Sequence, residues 1–220
     1  MRALPPAISL ALLGACASHP PPPDWQLNAK TASERSVSAY LTGNARVEAQ
    51  ELERARSEVA RTGRADLLAR VELTRCAAQA ASLAFQPCAA FEVLRVDAAA
   101  PERAYADYLG ARLRPQDIGL LPEPQRAVAM GAPSDAANVA ALRAIPDPLS
   151  RLVAAGVLFK SGRADPQVIA IAIDTASSQG WRRPLLAWLG VELRRAEQAG
   201  AADEAQRLRR RIDLVHGGAG

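Results

Sequence analysis

Apolar residues recur along most of this chain at steps of three and four, the repeat of an α-helix, and sustained period-two alternation is almost absent. The first such stripe runs Val37, Leu41, Ala45, Ala49, Leu52, Ala55 and Val59. It predicts one helix over residues 32–62, about eight turns long. Thr31 and Glu34 have the spacing of a capping box at its start, and Thr62-Gly63 supplies the glycine that ends a helix in the left-handed conformation. Glu48, Glu51, Glu53, Arg54, Arg56 and Glu58 fall on the other side of the stripe and read as a solvated, locally paired face.

The next helix is predicted over 66–84, with Leu67, Leu68, Val71, Thr74, Ala78 and Ala81 inward. Its start, Gly63-Arg64-Ala65-Asp66, recurs as Gly162-Arg163-Ala164-Asp165 and in related form as Gly200-Ala201-Ala202-Asp203. All three read as one corner, in which glycine closes a helix and aspartate three positions later caps the next, giving antiparallel pairs. Periodicity lapses between Phe85 and Pro101, where Phe91 to Asp97 suits a short helix better than an isolated extended piece. A helix over 101–113 follows. Four prolines between Pro115 and Pro133 then mark a hinge or irregular crossover at 115–133, with one short helix near Gln125 to Met130.

Beyond the hinge, Ser134, Asp147-Pro148 and Asp165-Pro166 are N-cap signals for helices over 135–144, 148–161 and 166–179. The run Val168 to Ile173 also fits a buried strand. Its aspartate-proline start and its lack of a partner strand favour a buried helix. Helices over 184–199 and 203–215 form the final pair, with Leu185, Leu189, Leu193 and Ala196 facing Ala205, Leu208, Ile212 and Val215 across Gly200.

Composition sharpens this picture in two ways. Hydrophobic residues make up 49% of the chain, yet Trp, Tyr and Phe number three each, so small side chains and close helix approach must supply the core. The formal charge of +4 rests on arginine, because only Lys30 and Lys160 are lysines among 27 basic residues. A basic balance ordinarily raises nucleic acid as a partner. The N-terminus points elsewhere.

Arg2 precedes a short apolar run from Ala7 to Leu13, too brief to span a bilayer, and Leu13-Gly14-Ala15-Cys16 follows directly. These four residues resemble the lipobox of bacterial lipoproteins. The resemblance implies a signal peptide over 1–15, a thioether lipid on Cys16 and, with Ala17 rather than aspartate next, sorting to the outer membrane with the body facing the periplasm. Three acyl chains would anchor stably, each buried methylene contributing about 0.8 kcal/mol. Export makes nucleic acid a poor partner and leaves an envelope protein or peptidoglycan. Pro20 to Pro23 predict a disordered, extended tether over 16–30, holding the body roughly 40 Å from the lipid.

With Cys16 committed to lipid, Cys76 and Cys88 remain, and an even remainder in an oxidising compartment favours a disulfide between them. Helical rise from Cys76 to Ala84 and extended return to Cys88 are comparable, at about 12 and 13 Å, so the bridge closes. Gly200, Ala205 and Leu193 resemble the turn glycine and two contact positions of a tetratricopeptide unit, over about 34 residues and with no earlier copy in register. The expected fold class is therefore all-α: antiparallel helix pairs stacked in an irregular, loosely tetratricopeptide-like array, one domain over 31–220 behind a lipid tether.

Two clusters are candidate contacts for an anion or a partner. Trp181-Arg182-Arg183 sets an indole beside two guanidinium groups, against the alternative of a packed corner with solvated arginines. Arg207, Arg209, Arg210 and Arg211 lie near a helix C-terminus, where the macrodipole itself favours positive charge. No metal is expected, since His19 lies in the tether and His216 near the chain end, and no cofactor motif, nucleophile elbow or zinc-protease helix occurs. A fold-dependent carboxylate pair such as Glu92 with Asp97 leaves no mark in a sequence. The expectation is a non-catalytic outer-membrane lipoprotein acting as a helical scaffold or adaptor for envelope proteins, with a peptidoglycan-binding or peptidoglycan-modifying protein as the alternative.

Overall fold

The computed structural model describes residues 21–131 and 134–217. Cys16, the lipobox and the tether as far as Pro20 lie outside the described residues, as do Ala132 and Pro133 of the hinge. The protein is all-helical, with no strand among the described residues.

The first helix differs from its expectation at both ends. It starts at Asp24, so α1 (Asp24–Thr42) takes in residues 24–30 assigned to the tether, and Thr31 and Glu34 lie inside it rather than forming a capping box. Pro23 stands at the N-cap and Asp24 places a carboxylate in the first turn, where it favours the helix dipole. The chain then reverses at Gly43, with a φ of 89°, and Asn44 accepts the Val47 amide at 3.2 Å to cap α2 (Ala45–Ala60). The single 32–62 helix is thus a hairpin. Ala45 and Ala49, which bridged the two halves of the stripe, are exposed. Ser36 Oγ donates to the Glu48 carbonyl at 3.0 Å, and Ala29 and Ala32 meet Leu52, Ala55 and Val59 in the antiparallel seam.

Helix α3 (Ala65–Ala81) is the hub, packing on α1 and α2, on α4 (Ala89–Leu94), on α5 (Ala100–Leu109) and on α8 (Pro148–Lys160). Charged ties fix it in place. Arg56 grips Glu72 with two hydrogen bonds of 2.6 and 2.9 Å, and Arg70 donates to Glu102 on α5 at 2.6 Å. The α3–α8 crossing depends on Gly156, since a Cβ there would stand 2.2 Å from the Ala80 carbonyl oxygen. Leu152 to Leu158 of α8 are all buried.

After α5, the expected 101–113 helix stops short at Leu109, because Ala111 turns into left-handed backbone with a φ of 56°. The hinge contains a 3₁₀ helix, Pro115–Leu120, and α6 (Glu123–Ala129). Gln125 ties it to the body, accepting from the Tyr108 hydroxyl at 2.8 Å and donating to the Ser150 carbonyl at 3.0 Å. Then come α7 (Asp135–Arg143), α9 (Pro166–Ser178), α10 (Arg182–Gln198) and α11 (Ala202–Gly217), the last four helices α8 to α11 packing in sequence.

Ser134, Asp147 and Asp165 cap as their sequence implies, accepting the amides of Ala137, Ser150 and Val168. Val168 to Ile173 is helical. The shared corner device holds only in part: Gly63, Gly162 and Gly200 all adopt left-handed backbone, but among the three aspartates only Asp165 caps. Asp66 stands two residues past the N-cap of α3, Arg64, and pairs with that arginine, which depresses its carboxyl pKa.

Candidate functional site

A groove of about 970 Å³ runs along α1 where α3 and the corners before α8 and α10 come up to it. Its lining follows from the helix repeat. Trp25, Ala29, Val37 and Leu41 succeed one another along one face of α1, and Leu67 and Val71 of α3 oppose them. Leu149, in the first turn of α8, and Trp181, at the N-cap of α10, close the far end against Tyr40, Leu41 and Ala78. Trp25, Leu67, Leu149 and Trp181 are each only half-buried, so the groove presents aromatic and aliphatic surface to solvent. Its rim carries both signs, with Lys30, Arg64 and Arg70 against Glu34 and Asp147.

The Trp181-Arg182-Arg183 cluster divides. Trp181 belongs to the groove. Arg183 is used within the fold: its Nε donates 2.8 Å to the Tyr40 carbonyl, and its guanidinium lies 4.3 Å from the Tyr40 ring centroid. That carbonyl is in the last turn of α1, where it also accepts the Gly43 amide at 3.1 Å and the dipole attracts a cation. Burial raises the Tyr40 pKa, and the Arg183 charge opposes the rise. Arg182 covers the Gly43 turn, its Nη2 standing 3.5 Å from where a Cβ at that glycine would be. Both arginines therefore secure the α1–α10 contact that shapes the groove.

The second arginine cluster lies on α11, outside the groove's lining. Arg207 pairs with Glu204 on the same helix, Arg209 with Glu197 on α10, and Arg211 donates to Ser177 Oγ at 3.3 Å. Arg210 is exposed and makes no ion pair among the described residues. Arg209 and Arg211 tie α11 to α10 and α9, and the cluster lines no part of the groove.

Cys76 and Cys88 form a disulfide with a Cα–Cα distance of 6.0 Å, pinning the segment after α3 back onto that helix. Glu92, one half of the carboxylate pair considered above, is held by Arg95 at 2.7 and 3.0 Å, which lowers its pKa below the ordinary 4.5. A general acid needs the opposite shift. Among the described residues no group of three or more His, Cys, Asp or Glu is placed to hold a metal ion.

Sequence reasoning missed Trp25, Leu67 and Leu149 as groove residues. Trp25 was legible: Trp25, Ala29 and Ala32 extend the apolar repeat backwards, and an aspartate behind a proline run is a helix-start signal. Leu67 and Leu149 were readable only as helix-face residues, because their exposure depends on which helices leave a gap beside them.

The architecture places the chain among all-helical proteins with an open apolar groove between helix pairs. No protein-family model, curated protein or solved structure matches it.

Proposed function

We propose that this protein is a lipid-anchored adaptor of the bacterial outer membrane, facing the periplasm, whose groove takes an amphipathic helical segment of another envelope protein. The groove carries this reading. From Trp25 to Leu41 it follows α1 for about 24 Å at 1.5 Å per residue, the length of four to five turns of a docked helix. A small ligand would need a closed pocket to bury most of its surface. An open trough with an apolar floor and a rim of both signs instead suits a peptide helix with one apolar face and mixed charges beside it.

The start of α1 adds a spatial argument. With Cys16 lipidated, only residues 17–23 separate the lipid from the helix, so the tether reaches at most about 25 Å rather than 40 Å. Trp25, in the first turn of α1, then lies at the membrane-proximal end of the groove. A partner emerging from the outer membrane meets the groove within a few nanometres of the lipid surface.

The test is site-specific photocrosslinking in intact cells, with a photoreactive residue at Ser33, on the groove edge, and at Arg210, exposed on α11 and outside the groove's lining. A discrete protein adduct from position 33 that Leu149→Glu abolishes, with none from position 210, is the expected result. Absence of any position-33 adduct, or retention of the purified body on protein-free sacculi, would overturn the adaptor reading.

A further inference from the structure

A second concavity, of about 510 Å³, opens between α3, α5 and the end of α8, on the other side of α3 from the groove. The disulfide forms part of its wall. Phe85 forms another part and is fixed by a chain of aromatic contacts into the core, with Phe159 at 6.3 Å and Phe159 in turn edge-on to the buried Trp188 at 5.6 Å. Leu83 and Ala111 are the only non-glycine residues with positive φ among the described residues, at 57° and 56°. One directly precedes Ala84-Phe85 and the other directly precedes Arg112, so both unfavourable turns shape the walls of this one recess. Gly110 contributes as well, since a Cβ there would stand 3.1 Å from the Arg112 guanidinium carbon, which folds back over the glycine.

The charges in the recess are unequally matched. Arg95 is satisfied, bound to Glu92 and at 3.0 Å to Asp107. Arg112 has only a 3.7 Å approach to Asp107. Lys160 makes no ion pair among the described residues, and its ammonium lies 5.2 Å from the Phe85 ring centroid. Desolvation first, and the nearby Arg112 charge second, hold that ammonium below the usual lysine range. Three cations against two carboxylates leave one net positive charge, shared by the two groups that lack a close partner.

We propose that this recess binds the carboxylate of a small or peptidic ligand, seated between Arg112 and Lys160 with the ligand's apolar body against Phe85. The guanidinium fork and the ammonium supply charge-assisted donors, and one anion relieves the repulsion between them. The carboxylates of Glu92 and Asp107 in the same wall disfavour a dianion, so a carboxylate fits better than a phosphate. The volume suits a ligand of one or two residues. Free acylated amino acids and the C-terminal ends of peptides share this chemistry.

Calorimetric titration of the oxidised full-length chain with N-acetylphenylalanine and with its carboxamide tests the assignment. Saturable binding of the acid is expected, with the amide at least about tenfold weaker, and Lys160→Met and Arg112→Met should each weaken the acid by about tenfold, the scale of one charged hydrogen bond. Arg210→Met, on α11 and outside the lining of both concavities, should leave it unchanged. Both target side chains are exposed, and unchanged circular dichroism and melting of the variants confirm that folding is intact. An acetylated tripeptide ending in free phenylalanine binding more tightly than the single residue identifies chain ends as the source, and equal binding identifies free acids. Equal affinity for acid and amide, indifference to both substitutions, absence of saturable binding, or displacement of the probe by inorganic phosphate at lower concentration would overturn the proposal.

Discussion

Gly156→Ala is the sharpest test of the way α3 and α8 meet. Two effects of opposite sign compete. In an exposed helix interior, replacing glycine by alanine stabilises by about 0.5 to 1 kcal/mol, because glycine loses more backbone entropy on folding. At Gly156 the new methyl would lie 2.2 Å from the Ala80 carbonyl oxygen and 2.9 Å from its carbon, both backbone atoms of α3 that no rotamer change can move aside. Restoring ordinary contact near 3.5 Å requires the helices to part by about 1 Å, loosening the contacts of a fully buried stretch of α8. Overpacking of this kind costs about 1 to 3 kcal/mol, and a rigid backbone on the receiving side places it at the upper end. The net expectation is a loss of about 2 kcal/mol, which for a domain of this size lowers the Tm by about 4 to 8 °C.

Gly190→Ala is the matched control. Gly190 is also inside a helix, α10, but the nearest atom to its added Cβ is Arg194 Nη1 at 3.8 Å, the end of a flexible side chain. Only the propensity gain remains, so this variant should melt about 1 to 3 °C higher than the parent. Guanidinium unfolding followed by far-ultraviolet circular dichroism, with equal m-values checked across the three proteins, measures both. A Gly156→Ala protein as stable as the parent, or stabilised like Gly190→Ala, would refute the close α3–α8 approach.

Cys88→Ser should destabilise the oxidised protein by about 3 kcal/mol from loop closure alone, and reductant should bring the parent down to the variant while leaving the variant unmoved. Arg56→Met should cost about 3 kcal/mol by leaving Glu72, 2% exposed, as an unpaired buried carboxylate; Glu72→Met should cost less, since the half-buried Arg56 retains Glu53 and solvent. Denaturant midpoints of the two variants measure the asymmetry. Because Arg95 lowers the folded pKa of Glu92 below 4.5, that pair contributes stability above the unfolded pKa and loses it as pH falls through the folded value. Glu92 is well exposed, so the effect is small, about 0.5 kcal/mol, and appears as a shallower loss of Tm below pH 4.5 in Arg95→Met than in the parent.

The helical class and most helix positions were legible because they rest on local signals. Asp147-Pro148 and Asp165-Pro166 state a start in two residues, and a left-handed glycine states a stop. The failures came where alanine carried the pattern. Ala45 and Ala49 kept the three-four spacing across Gly43-Asn44, although neither is buried, and an alanine is too weakly apolar to show which face it occupies. Leu83 and Ala111 were invisible for a different reason: neither is a residue that prefers positive φ, so the tertiary contacts impose those turns. Of the candidate contacts, Trp181 lies in the groove, whereas the two arginines beside it fasten α10 to α1. An indole and a guanidinium adjacent in sequence do not disclose which of them faces a carbonyl. Cys76 and Cys88 line the second recess, and neither Arg112 nor Lys160 carries a site signal in the sequence, because their proximity depends on α5 ending early and on α8 crossing α3 closely.

That crossing joins the two sites. Val71 and Thr74 line the groove, while Cys76 and Ala80, one and two turns further along α3, line the recess, so one helix presents different faces to both. Lys160 lies one turn beyond Gly156 on α8, and Leu149 lies two turns before it. A shift of α8 away from Ala80 therefore displaces the ammonium of the recess and the leucine at the groove's end together, in proportion to how rigidly α8 moves. The Gly156→Ala protein, if it folds with α8 about 1 Å further out, should weaken N-acetylphenylalanine binding and the position-33 crosslink in the same molecule. Gly190→Ala should alter neither. Loss of one activity with full retention of the other would mean that α8 bends at Gly156 rather than moving as a body, and that the two sites are mechanically separate.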